Sequence, residues 1–425
     1  MDVRRVLTSV IFLFVALSIV LASEEQPIVT WMRTHAVRLQ SVDPGAEFED
    51  MQPVREIVGN ASIVALGEAT HGTREFFQVK HRLLKFLVEQ MDFSVFSIEA
   101  NMPDAYRLNE FVVNGIGDPV QLIHNMRFWT WETQELLDLV IWMREFNRSG
   151  KGHLMFTGFD MGDPKPAALI VTEFVSKHDA NYSDSLREAL PPTVSIPSRG
   201  RIGADFHAAA FAWDKVAEHL NERRRTYSDN GVSAEDIEWV IQNATLVRQF
   251  MEMRAGEFAR DDSMAQNVRW VRKHSQDGKM VIWAHNGHVA VGGGIVGTES
   301  MGTKLRRVFG DQIVAFGFAF NQGSFRAVSP QRRILAEFRV PPAPAGSLDS
   351  VLAATEIPVF LIDLRPAPRS GPVAAWLARP HTSREIGSEY PDYALFDQIY
   401  SFDVRRNFDV LVFVAKTTPT QRLEH

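Results

Sequence analysis

Glu68, His71, Glu99, Asp160, His285 and His288 each fall at or just beyond the end of a short apolar run. Carboxylates and imidazoles so placed suggest proton-transfer chemistry. A neutral imidazole can take a proton from water, with its basicity raised and its tautomer set by a neighbouring carboxylate. A second imidazole can hold or donate a proton where an oxygen anion forms at an attacked carbonyl. Together these groups describe direct attack of water on an ester, without a nucleophile from the chain. The same oxygen and nitrogen donors could instead hold a divalent ion, giving a metal-dependent hydrolase of another envelope or secondary-metabolite ester or amide. A cleft that binds such a ligand without turning it over is the third reading.

Other chemistries drop out on residue type and spacing. The chain has no cysteine, which removes thiol nucleophiles, thiolate metal sites and disulfides. No Gly-x-Ser-x-Gly elbow occurs; the nearest approach, GTESMG (297–302), has Thr298 where the first glycine belongs. There is no His-Glu-x-x-His helix and no Walker loop. GGGIVG (292–297) satisfies a dinucleotide fingerprint, but AFGFAF lies where an acid should hold the ribose, so a flexible flap is the better reading. Isolated histidines such as His35, His81, His124, His178 and His274 are read as structural or solvent-facing.

The elements that must position these groups are legible as apolar runs. SIVALGE (62–68), SVFSIEA (94–100), LMFTGFD (154–160), MVIWAHN (280–286), IVAFGFAF (313–320), PVFLIDL (358–364) and DVLVFVA (409–415) are nearly continuous, as in strands covered on both faces. Between the first two, Phe76, Val79, Leu83, Phe86 and Leu87 recur at helical spacing, with Lys80, Lys85 and Glu89 largely off that stripe. Strand, helix, strand in this rhythm implies an α/β fold with a mostly parallel sheet and flanking helices. Ligands bind such sheets at the carboxyl ends of the strands, where four runs deliver their acids and imidazoles. Gly67 and Gly72 are expected to let the first of these ends turn tightly. Residues 165–275 carry helix formers and charge without a convincing strand, which reads as an all-helical insertion forming a lobe over an active-site cleft. PPTVSIPSRGRIG (191–203) breaks that insertion, and RVPPAPAGS (339–347) reads as a surface connection.

Residues 1–22 are unlike the rest. Two arginines precede an uncharged run (6–23) that ends Val20-Leu21-Ala22 before Ser23, the pattern of a secretory signal cut after Ala22. An uncleaved anchor is the rival reading, and would be the one link to a membrane. Either way the body, residues 23–425, is expected to work in the periplasm or outside the cell. A net charge of −7 argues against nucleic acid as a partner, leaving a small molecule.

The chain resembles the erythromycin esterase family, which opens the lactone ring of macrolides by hydrolysis. The resemblance is carried by LGEATHGTREFFQVKHRL, FSIEANMPDAYRLNEFV, FWTWETQELLDLVIWMREFN, FTGFDM, ARDDSMAQNVRW, VIWAHNGHVA and GFAFNQGSF, in matching order over residues 60–325. It implies a bilobed molecule without a cofactor, His71 as general base and Glu68 as the residue that positions it. Glu99, His285 and His288 match other active-site positions, where they would organise water and support the oxyanion and the leaving alkoxide. Arg74, Lys80, Trp129, Trp131, Glu132 and Asp160 are expected along the substrate, with core packing an equal reading for both tryptophans. Some members place an arginine nine residues after the catalytic histidine; here it is Lys80, which keeps the charge without the planar fork.

Overall fold

The computed structural model describes residues 25–189, 204–257, 259–295, 299–393 and 398–424. Residues 1–22, read above as an expected export signal, and the stretch 191–203 lie outside the described residues, as do parts of GGGIVG and GTESMG. Two compact units emerge. One comprises the chain up to Phe96 together with Trp129–Met143 and Gly278–His425; the other comprises Ser97–Phe128 and Arg144–Asp277. The second unit therefore begins well before residue 165 and includes strands as well as helices.

The strands are β1 (Val37–Arg38), β2 (Ile63–Leu66), β3 (Phe93–Asn101), β4 (Met155–Asp160), β5 (Lys279–Trp283), β6 (Ile313–Ser329), β7 (Ile334–Val340), β8 (Val359–Asp363), β9 (His381–Arg384), β10 (Ile399–Phe402) and β11 (Val410–Thr417). All seven apolar runs form strands. In the first unit the sheet order is β1-β8-β11-β6-β2-β5-β3, with β7 attached to β6. Its centre is parallel, β11 on β6 and β6 on β2, with β2 on β5. Its outer pairs are antiparallel: β8 on β11, β1 on β8 and β7 on β6. Every residue of β2 is buried, which is why it reads as an unbroken apolar run.

β6 runs nine residues past the apolar stretch that marks it. From Gln322 onward its burial alternates, the pattern of a half-covered hairpin strand, and β7 returns along it from Ser329↔Ile334 to Gly323↔Val340. A search for continuous apolar runs cannot see such a ribbon.

The helix Arg74–Met91 buries the expected stripe, but also Lys80, which is only 1% exposed. The stripe is thus wider than the apolar residues alone indicate. Lys80 turns inward because its ammonium has a partner there.

In the second unit the far half of β3 runs beside β4. The helix Met102–Asn114 follows β3 directly, and Pro164–His178 follows β4 after three intervening residues. The rest is helical among the described residues, with Ala204–Glu222 packed on Ala234–Ala255. Asn267 donates to the Phe159 carbonyl (3.0 Å) and accepts from Gln242 (2.9 Å), so a buried polar chain ties two helices to β4. Among the described residues no helix is long and apolar enough to cross a membrane.

Candidate active site

β2 and β5 are neighbours in register, with Leu66 opposite Trp283, so the chain leaves both strands side by side. The ladder continues into the loops: Ala284 N–H donates to Leu66 and Asn286 N–H to Glu68. Glu68 and His285 are brought together by this register.

The loop after β2 stays inside the protein. Glu68, Ala69, Thr70 and Thr73 are fully buried and His71 is 9% exposed. Neither Gly67 nor Gly72 has a positive φ, so tight turning is not their role. A Cβ on Gly67 would lie 2.2 Å from Asn286 Oδ1, and one on Gly72 would lie 2.1 Å from the Arg326 carbonyl oxygen. Both glycines permit close approach of other chain segments. Ile386 N–H donates to Ala69, while Arg326 and Thr420 N–H groups both donate to Gly72. Three distant segments thereby clamp the loop, which removes conformational freedom from His71.

Glu68 accepts three side-chain hydrogen bonds. Its Oε1 accepts from His71 Nδ1 (2.7 Å), and its Oε2 accepts from Lys80 Nζ (2.6 Å) and Trp283 Nε1 (2.7 Å). Burial by itself would raise this carboxyl, but the Lys80 ammonium and the His71 hydrogen bond outweigh it and hold the group down at about 2. An ionised carboxylate only accepts, so the proton on His71 sits on Nδ1 and the lone pair on Nε2. Lys80 Nζ also lies 4.1 Å from the Trp283 ring centroid and 5.0 Å from that of Phe318. The expectation that Lys80 meets substrate is therefore corrected: its side chain has no exposed surface and its charge faces Glu68.

The His285 ring lies 5.2 Å from that of His71, and Trp129 meets His71 edge-on at 6.5 Å. His285 Nδ1 accepts from Gly287 N–H (3.2 Å), so its own proton is on Nε2 and is donated to the Ile386 carbonyl (3.2 Å). Behind it lies Glu385, whose Oε2 is 3.8 Å from His285 Nε2 and whose Oε1 accepts from Asn286 Nδ2 (2.9 Å). Burial pushes the Glu385 carboxyl well above the ordinary carboxylate range. His71 is thus backed by an ionised acid and His285 by an acid driven towards neutrality, a division that separates proton-accepting from proton-holding groups. His288 is half-buried, with its N–H on the His285 carbonyl in the short helix Asn286–Val289.

The other expected residues are placed as follows. Trp131 is 1% exposed and packs on Phe77 and Trp283, so it belongs to the core behind Glu68 and does not line a substrate path. Glu132 is half-buried, its carbonyl accepting from Leu423 N–H. Arg74 Nε is 3.5 Å from Glu135. In the second unit Arg260 joins Glu99 and Asp160: Nη2 donates to Glu99 (2.8 Å) and Asp160 Oδ2 (2.6 Å), and Nε to Asp160 Oδ1 (3.1 Å). Among the described residues no three His, Asp or Glu side chains are gathered as metal ligands would be.

Sequence reasoning passed over Trp283, Glu385, Asn286 and Arg260. Trp283 had a usable signal, since a buried indole N–H needs an acceptor and this one stands two residues before His285. Arg260 lies within the ARDDSMAQNVRW block. Glu385 had no local signal at all.

The erythromycin esterase family model matches residues 88–417. The chain belongs to the erythromycin esterase family. The match begins after His71 and takes in Glu99, Asp160, Arg260, His285, His288 and Glu385. Erythromycin esterase type II of Escherichia coli is 24% identical over 349 residues, 73% of this chain and 81% of that protein. A crystal structure of a Bacillus cereus protein is 25% identical, with TM-score 0.82 and coverage of 94% of this chain and 99% of that one. An erythromycin esterase mutant in its open conformation shares the fold at TM-score 0.71 and 17% identity, covering 92% of this chain and 99% of that one.

Proposed function

We propose that this member of the erythromycin esterase family is a carboxylic ester hydrolase that activates water directly, with His71 Nε2 as the general base. The observation that carries the reading is the 2.7 Å bond from His71 Nδ1 to Glu68, which leaves the Nε2 lone pair as the proton acceptor. In the forward step Nε2 takes a proton from water as its oxygen bonds to the ester carbonyl carbon. The resulting oxyanion collapses, the carbon–alkoxide bond breaks, and the proton passes to the alkoxide, giving acid and alcohol. Lys80 and Trp283 are positioning residues that keep Glu68 ionised and fixed. His71 Nε2 returns its proton to the leaving oxygen, and we assign His285 and His288 to organising water and supporting the oxyanion. Arg74, Trp129 and Glu132 are assigned to the substrate. The substrate is a macrolide lactone or a related cyclic ester, and the signal-like pattern of residues 1–22 supports a reaction in the periplasm or outside the cell.

The test is incubation of purified protein with 14- and 16-membered macrolides and simpler lactones, following gain of one water by mass spectrometry. His71→Ala should lose about 100- to 10,000-fold in kcat/KM, the range of general-base catalysis, with its unfolding temperature preserved. In oxygen-18 water, a single turnover should label the released acid and leave the protein unlabelled. A folded His71→Ala that retains turnover, or label recovered in the protein, would remove the proposal.

A further inference from the structure

The second unit holds a cavity of about 360 Å³ lined in part by Asp104, Arg107, Arg127, Asp163, Lys165 and Leu169. Asp104 and Arg107 lie on the first turns of the helix that follows β3, and Asp163 and Lys165 on the entry to the helix that follows β4. The cavity therefore opens at the carboxyl ends of these two strands, where the loops of an α/β sheet hold ligands.

Its charges are arranged unusually. Among the described residues Arg107, Arg127 and Lys165 take part in no ion pair, although two carboxylates share the cavity wall. Neither acid is within ion-pair distance of these cations, although Arg107 and Arg127 act on Asp104 through space. Asp104 is 9% exposed and accepts from Asn101 Nδ2 (2.8 Å), while Asp163 accepts from the Lys165 backbone N–H (3.0 Å) as the helix cap. Three cations against two acids leave the lining at +1, in a chain whose net charge is −7. Burial, helped by Asp163 and opposed by Asn101, Arg107 and Arg127, raises the Asp104 carboxyl, which moves the balance further positive. Arg127 also holds a left-handed backbone at φ 53°, a conformation uncommon outside glycine and concentrated at functional sites. Leu169, 49% exposed on the same wall, offers an apolar surface beside the cations.

We infer that this cavity is a binding site for a small organic anion, a phosphate or carboxylate carried on an apolar or ring-bearing body. Arg107, Arg127 and Lys165 would pair with the anionic oxygens and Leu169 would cover the body. Guanidinium forks suit both anions because each presents two coplanar oxygens. The site stands on its own residues and does not depend on ester hydrolysis.

Isothermal titration with phenyl phosphate, benzoate and neutral benzyl alcohol tests the inference directly. Either anion should bind, and affinity should fall as salt is raised. Arg107→Ala/Arg127→Ala should weaken it by about tenfold or more, equivalent to about 1.4 kcal/mol. Comparison of the two anion arms assigns phosphate or carboxylate. Lys165→Met, a change at an exposed position, gives the same reading should the double variant fail to fold. Hydrolytic activity is followed in parallel, so loss of anion binding is separable from loss of the proposed esterase chemistry. Absence of binding by both anions, equal binding of benzyl alcohol, or wild-type affinity in folded variants would overturn the site.

Discussion

Lys80→Met isolates the interaction on which the His71 arrangement depends. In the folded protein Glu68 is held from 4.5 down to about 2 although burial opposes ionisation. At about 1.36 kcal/mol per unit, this is roughly 3 kcal/mol of preference for the carboxylate. Methionine keeps the length of the side chain but removes the ammonium 2.6 Å from Oε2. Burial then dominates, and the Glu68 carboxyl should rise above its ordinary value. His71 Nδ1–H would face a neutral acid, losing the anion that stabilises the imidazolium. The expected result is a fall in kcat/KM of about 100-fold, with the acidic limb of its pH profile moved upward because it now follows the raised Glu68 carboxyl, whose ionised form is needed to support the imidazolium.

Stability should respond with a distinctive sign. In the wild type a depressed Glu68 contributes stability above pH 4.5 that is lost as pH falls from there through about 2. In Lys80→Met the raised carboxyl reverses this, and unfolding temperature should improve on mild acidification. Breaking a buried pair should also cost about 3–5 kcal/mol at neutral pH by denaturant titration. Lys80→Arg, which keeps the charge, should retain more activity than Lys80→Met. A folded Lys80→Met with an unshifted pH profile would refute the role given to Lys80.

Two further outcomes follow from the same geometry. Glu385 is raised by burial, so its folded-state contribution is present below the ordinary carboxylate range and is lost as pH rises through the raised value. Glu385→Gln should therefore flatten the decline of unfolding temperature on the alkaline side, and an unchanged slope would count against a protonated Glu385. Gly72→Ala would bring a Cβ to 2.1 Å from the Arg326 carbonyl oxygen, which cannot swing aside as a side chain could. It should cost about 1–3 kcal/mol and lower kcat through displacement of His71; wild-type kcat would show that the clamp does not set the imidazole position.

The parts of this protein written in local pattern are legible in the amino-acid sequence alone. β2, β5 and the apolar start of β6 declare themselves because strands buried on both faces have no polar positions. Glu68 and His71 stand three residues apart beyond one such strand, and the sheet rule places His285 at the same edge. What makes Glu68 work is decided only in three dimensions. Lys80 looks like a surface lysine at its place on the helix, and Trp283 like ordinary core. Both become donors to Glu68 because the helix Arg74–Met91 brings Lys80, and β5 brings Trp283, to one carboxylate. Glu385 reaches His285 across a hundred positions of chain, and Arg260 reaches Glu99 and Asp160 across a comparable distance. Periodicity records which face of an element is buried. It carries no record of which distant group will meet that face, because such pairing arises only when the layers close.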